Sequence, residues 1–292
     1  MQRLLKLIIV ALIIVGLGAC SRSFAYRFAD TYIVWQARDY VSLQREQREA
    51  LSDEVEAFLQ WHAETQIPRY HLTLETLEAD ITEATLDPEA VRQYSDLAAD
   101  FWFQVRSGAL PAALRLLPDL SDAQVDELIQ SVADSIQQRL DEYQDSTADE
   151  RVAERRDMFQ QQAQRWLGAV TEEQQALFDE WADSIDDSNM LWIEYRLEWA
   201  EQFASALEQR NHSDLFSEQL DGLFLEPENL RSDMLITQAS AAKEVSQEHL
   251  MTLHGLLTDD QRLHFAAELQ ELRRDLRSML RSRDLDIATM TF

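Results

Sequence analysis

The sequence predicts an all-α protein, an elongated multi-helix bundle behind a short N-terminal leader. Three observations carry that expectation. Glycine and proline are scarce, 6 and 5 in 292 residues, well below the roughly 7% and 5% of an average protein. Apolar residues recur at three- and four-residue steps, as in Phe265, Leu269, Leu272, Leu276 and Met279, which draws one apolar stripe along a helix. Strand alternation bounded by turn residues is not found. Tight turns and phosphate cradles need glycine backbone, so all-β folds, Rossmann domains and P-loops are excluded as well.

Helices are expected near 24–40, 44–66, 69–84, 88–106, 121–145, 148–167, 171–186, 189–210, 228–255 and 258–283. Pro68 separates the second from the third. Asp87-Pro88-Glu89 opens the fourth, with a capping acid followed by proline where no N–H is needed. Pro111 and Pro118 fall where that helix stops and the next begins. Ser121, Thr171 and Thr258 each stand three residues before a glutamine, the pattern of a capping box. The segment 145–149, DSTAD, is either a break or a kink in one longer helix. Trp192, Tyr195, Trp199 and Phe203 repeat the apolar stripe in bulky form, and Pro227 opens the ninth helix. No low-complexity linker divides the chain, so residues 20–292 read as a single domain.

The leader has its own logic. Arg3 and Lys6 precede an uncharged apolar run, Leu7 to Leu17, the layout of an export signal. The run is shorter than the about 20 residues a membrane span needs. Leu17-Gly18-Ala19-Cys20 follows and resembles the lipobox of bacterial lipoproteins. That resemblance implies cleavage before Cys20, lipid on its sulfur, and, with Ser21 rather than Asp next, an outer-membrane address facing the periplasm. Cys20 is the only cysteine, so acylation leaves no thiol for a disulfide. Several acyl chains anchor far more firmly than one.

The charge is −28, from 54 acidic and 26 basic residues. Losing residues 1–19 removes Arg3 and Lys6 and no acid, leaving −30 with Lys243 as the one lysine. Such a surface repels nucleic acid, whose binding runs on Lys and Arg. It attracts cationic partners, or it reflects adaptation to a salty habitat. Asp179, Asp183, Asp186 and Asp187 read as a solvated acidic face. Arg273, Arg277 and Arg281, four residues apart, either pair with acidic helices of the same molecule or meet an acidic partner or lipid phosphate.

One pattern occurs four times: Leu43 to Gln47, Leu120 to Gln124, Val170 to Gln174 and Leu257 to Gln261. Each glutamine is followed four residues later by Leu51, Leu128, Phe178 or Phe265. The last three boxes resemble the LTxxQ motif of periplasmic stress chaperones, which implies ATP-independent binding of unfolded chains. Helix capping explains the same three boxes without any function. The first has Gln44 in the hydroxyl position and lacks that cap.

A closer resemblance covers most of the chain. Trp35, Asp39-Tyr40, Leu43 and Gln47 are followed by Trp61-His62 and Ile67-Pro68-Arg69-Tyr70. This is similar to an uncharacterised family of helical lipoproteins of Gram-negative bacteria, a domain of unknown function with a lipobox and a WHxxxxLPxY pattern. Ile67 stands for the usual Leu. The resemblance implies no catalytic residue and no substrate. Trp61, His62, Pro68 and Tyr70 make a candidate binding corner, though a plain turn accounts for them too. Neighbours on a helix point about 100° apart, so Trp61 is expected to pack inward while His62 faces the rim or caps a carbonyl. Pro68 ends or redirects the helix, and Tyr70 packs back.

Several chemistries lack their residues. The residues three before each histidine are Leu59, Pro68, Gln209, Ser246, Met251 and Gln261, so no Glu-x-x-His pair for a di-iron bundle exists. HExxH and G-x-S-x-G are absent, and His249 and His254 share no helix face. No catalytic residue, metal site or cofactor is therefore expected, and the chain is read as a non-enzymatic binding or envelope-maintenance lipoprotein. Its partners are the membrane, through the lipid, and a periplasmic or cationic protein. A periplasmic chaperone is the first alternative. A cell-wall hydrolase, resting on abundant carboxylates alone, is a remote one.

Overall fold

The computed structural model describes Tyr26 and residues 28–289. The signal segment 1–19, with Leu17, Gly18 and Ala19, and the acceptor Cys20 lie outside them. The chain runs α1 (Ala29–Ala37), α2 (Arg45–Thr65), α3 (Ile67–Thr82), α4 (Pro88–Leu116), α5 (Asp122–Asp145), α6 (Ala148–Leu167), α7 (Glu172–Ser184), α8 (Asn189–Glu208), α9 (Ser213–Leu225), α10 (Asp233–Leu256) and α11 (Asp259–Arg281). No strand occurs among the described residues, and none of their helices is long and apolar enough to cross a membrane. The architecture is an all-α multi-helix bundle, as the apolar stripes require.

Local chemistry sets most of the helix ends. Asp87, Ser121, Thr147, Thr171, Ser232 and Thr258 each accept a bond from a first-turn amide with the side chain, satisfying a donor that the helix leaves orphaned. DSTAD is thus a true break, with Thr147 capping α6. Two expectations fail. The fourth helix does not stop at 106 but continues through Pro111 to Leu116, because burial of Leu110 and packing of Ala113 and Leu114 against the core outweigh one lost backbone bond. Helix α9 was not expected at all. Its Phe216, Leu220 and Leu223 are buried in the same core, while a Cβ on its Gly222 would meet nothing within 4 Å. That glycine is a solvent-side cost of about 1 kcal/mol, offset by three buried apolar side chains.

The four boxes pair off, and two clasps result. At the N-termini of α2 and α5, Gln47 Nε2 donates to Gln124 Oε1 at 3.0 Å and Gln124 Nε2 donates to Gln47 Oε1 at 2.7 Å. Each amide also donates to the carbonyl just before the partner's box, Asp119 and Ser42. At the N-termini of α7 and α11, Gln174 and Gln261 repeat the arrangement, donating to Leu256 and Ala169. Each Oε1 further accepts from the amide at its own helix start, Gln44, Ser121, Thr171 or Thr258. All four glutamines therefore have both polar atoms bonded, the condition under which burying an amide is tolerated. The capping reading of Ser121, Thr171 and Thr258 holds, and the glutamines do more than cap: they fix which helix starts meet.

The core falls into clusters around these clasps. Val41, Leu110, Leu120, Val125, Phe203 and Leu207 surround the first. Ala163, Leu167 and Phe178 surround the second, with Leu257 and Phe265 packed on them. A third cluster, Val55, Leu59, Ala63, Ile67, Met279 and Leu280, joins α2 and α3 to the end of α11. Arg273 pairs with Glu75 and, at 2.7 Å, with Glu78 of α3. Arg277 Nη1 lies 3.0 Å from His71 Nε2, and Arg281 is exposed. The expected acidic face is divided, because α7 ends at Ser184 and leaves Asp186 and Asp187 beyond it; Asp183 on the helix meets Arg156 and Asp187 after it meets Arg151.

Candidate functional site

The corner between α2 and α3 is made without a loop. Gln66 keeps right-handed helical dihedrals between the two helices and donates its N–H to His62 O at 2.9 Å. Pro68 occupies the first turn of α3, where its missing N–H costs nothing, and the chain turns there as the sequence implies.

The two side chains at the end of α2 point opposite to expectation. His62 is 6% exposed, while Trp61 is only half-buried. The reason is the step of the buried positions, Val55, Leu59, His62 and Gln66, four, three and four apart, which carries His62 onto the inward face. Trp61 instead lies across α4. A Cβ on Gly108 would sit 2.2 Å from its Cζ3, so glycine is what lets the indole bridge the two helices.

His62 stands between two tyrosines. Tyr26 donates its hydroxyl proton to Leu59 O at 3.0 Å, so its oxygen accepts from His62 Nδ1 at 3.3 Å. That tautomer leaves Nε2 to accept from the Tyr70 hydroxyl, also at 3.3 Å. Burial, and secondarily the Arg283 charge, push His62 down to about 4. Burial raises both Tyr26 and Tyr70 above the usual phenol range. The triad is therefore neutral and internally satisfied. Tyr70 also sets its ring edge-on to Phe101 of α4, with centroids 4.7 Å apart.

This triad lines a cavity. Tyr26, His62 and Tyr70 border a space of about 430 Å³ among α3, α4 and α11, walled by Leu74, Phe101, Trp102, Leu269 and Leu272. Pro68 and Trp61 stay outside that lining; they shape the corner rather than face the space. Asp275, 7% exposed, supplies a carboxylate to the wall. A second cavity of about 430 Å³ lies among α3, α4, α10 and α11, bordered by Ile81, Val91, Leu250, Leu253, Gln247 and Lys243. Leu77 and Phe265 line both cavities. A wider cleft of about 1,340 Å³ among α5, α6 and α8 carries ten acidic or arginine side chains, among them Arg139, Arg151 and Arg196. Size alone does not select it: ligand sites are mostly apolar with a few converging polar groups, and the corner cavity has that character.

Nothing local in the sequence marks Phe101, Trp102 or Leu269 as neighbours of the corner. They come from helices up to two hundred residues away, and only the fold brings them together. His62 was legible, by the four-three-four step just described. Among the described residues no group of three or more His, Cys, Asp or Glu side chains is placed to hold a metal ion.

The model of a family described as a family of unknown function, DUF6279, matches residues 39–234. The match includes the corner and three of the four boxes; α11, which supplies the far wall of the cavity, lies beyond it. No curated protein and no solved structure matches the chain.

Proposed function

The chain belongs to the DUF6279 family, and from that premise we propose that it is a non-enzymatic lipoprotein that binds an apolar ligand in the corner cavity while anchored to the outer membrane and facing the periplasm. The anchor is the lipid on Cys20, after removal of residues 1–19. What carries the binding reading is one observation: a neutral, self-satisfied His62–tyrosine triad borders a preformed space of about 430 Å³ with aromatic and aliphatic walls. A space that size falls within the roughly 300–1,000 Å³ of ligand pockets. The triad offers no group poised for proton transfer, since its polar atoms are engaged with one another. Glycosidase chemistry takes two carboxylates across one cleft, and this lining presents Asp275 alone.

The chaperone alternative rests on the boxes, and the clasps already occupy their glutamines. The binding reading is tested by titrating the neutral dye N-phenylnaphthylamine into the mature chain bearing Cys20→Ser. Saturable one-to-one binding is expected. Ala98→Trp, at an exposed position that still borders the cavity, is expected to block it with the fold intact by circular dichroism. Absence of saturable binding, or full binding by Ala98→Trp, overturns the proposal.

A further inference from the structure

The two equal cavities share Leu77 and Phe265 in their linings, and their polar groups are distributed unequally. In the corner cavity the Tyr26, His62 and Tyr70 side chains bond to one another or to backbone. In the second, Gln247 Nε2 is buried with no hydrogen-bond partner. A buried amide N–H without an acceptor is rare in native proteins and asks for one. Lys243 borders the same cavity, four residues earlier on α10, with its ammonium 2.9 Å from Asp96. Ser246 is already engaged, donating to Ala242 O and accepting from Trp181. One end of the paired space thus holds an amide N–H without an acceptor, whereas the other is mostly apolar, with its His62–tyrosine triad satisfied and the Asp275 carboxylate in one wall.

Resting on the binding role assigned to the corner cavity, we propose that the two cavities are one site for an unbranched acyl chain ending in a carboxyl or carbonyl group. The head oxygen accepts from Gln247 Nε2 after a rotation of that side chain, which gives up no hydrogen bond at Nε2, with Lys243 beside it at the rim. The tail passes between Leu77 and Phe265 into the space under Tyr70 and Phe101. Two chambers joined past Leu77 and Phe265 would suit a flexible chain better than a rigid ring system. The charge of the protein limits the head: with −28 overall and one lysine at the mouth, a neutral or singly charged group is admitted and a polyanionic one is repelled.

The experiment is calorimetric titration of the mature Cys20→Ser chain with saturated fatty acids of increasing length. Each added methylene is expected to lower Kd about fourfold until the joined space is full, after which Kd is flat. Leu77→Trp is expected to bring that plateau to shorter chains without changing the affinity for the shortest. Gln247→Leu is expected to weaken every length about tenfold, the worth of one hydrogen bond to a charged group, and to leave the plateau in place. Monoacylglycerols separate the two head chemistries: equal binding means that an ester carbonyl suffices, and weaker binding means that the carboxylate is required. The proposal is overturned if affinity ignores chain length, if Leu77→Trp weakens all lengths alike, or if Gln247→Leu has no effect. If the dye binds while acyl length has no effect, the acyl assignment alone falls. If the dye does not bind either, the corner cavity is no ligand site.

Discussion

Gln174 and Gln261 hold each other by two amide hydrogen bonds of 2.7 Å, across 87 residues of sequence. Both are buried, Gln174 completely. Their bonds lock the start of α7 to the start of α11 in the way that Gln47 and Gln124 lock α2 to α5. A motif that caps a helix in isolation here also specifies which helix comes next to it.

Removing one member of a clasp takes a hydrogen bond from each polar atom of the other. Gln174→Ala leaves the Gln261 amide with only Ala169 O and the Thr258 N–H, removes the side-chain partner of Leu256 O and the Thr171 N–H, and is expected to cost about 2–3 kcal/mol. The double variant Gln174→Leu/Gln261→Leu is expected to cost less than the sum of its single variants, because the two substitutions remove the same pair of mutual bonds. Urea unfolding of the mature chain measures both; strict additivity would mean that the clasp contributes nothing as a pair.

Gly108 and Trp61 form a second such pair. A Cβ at 108 would lie between 2.2 and 2.8 Å from three atoms of the indole, and α2 cannot shift without disturbing Leu59 and Ala63 in the core. Gly108→Ala is expected to destabilise by about 1–3 kcal/mol, the usual cost of overpacking. Trp61→Leu in the same chain is expected to recover most of that loss. Thermal melting of the three variants decides it; an unshifted melting temperature for Gly108→Ala would contradict the contact.

His62 gives a pH dependence with a definite sign. Burial holds it neutral down to about 4 in the folded chain, whereas an unfolded histidine takes its proton near pH 6.5. The unfolded state thus binds more protons between those values. The contribution is present above pH 6.5 and is lost as pH falls toward 4. Between pH 7 and pH 5 the loss is about 2 kcal/mol. His62→Gln, which does not titrate, is expected to show a correspondingly flatter stability profile over that interval. Parallel profiles for the two chains would mean that His62 is not buried neutral.

The anchor has its own check. Intact mass spectrometry of protein extracted from envelopes is expected to show residues 1–19 absent and a diacylglyceryl thioether with an amide-linked acyl chain at Cys20. Cys20→Ala is expected to retain the leader. A bare Cys20 on a chain that keeps residues 1–19 removes the lipoprotein reading.

What the sequence made legible follows from range. Helix starts are local chemistry, and the hydroxyls of Ser121, Thr171 and Thr258 announce them. The end of α4 is not local: Pro111 reads as a stop until the core around Leu110 and Leu114 is known. Helix α9 was missed because Gly222 and its acidic neighbours hide the buried step of Phe216, Leu220 and Leu223. At the corner, His62 and Tyr70 border the cavity, whereas Trp61 and Pro68 do not. The 100° between neighbours does not say which of Trp61 and His62 faces inward; the step from Val55 and Leu59 does, and it selects His62. The cavity itself could not be read, since its walls are contributed by α3, α4 and α11. The pairing of the glutamine boxes lay in the sequence as repetition, but which box meets which is a property of the fold.

The most direct measurement of the whole account is anomalous diffraction from crystals of the mature chain grown with a fatty acid brominated at its terminal carbon. The bromine is expected in the space bordered by Tyr70, Phe101 and Leu269, with the carboxyl group at Gln247. Bromine at another site, or a corner cavity filled by its own side chains while the fatty acid is bound elsewhere, would contradict it.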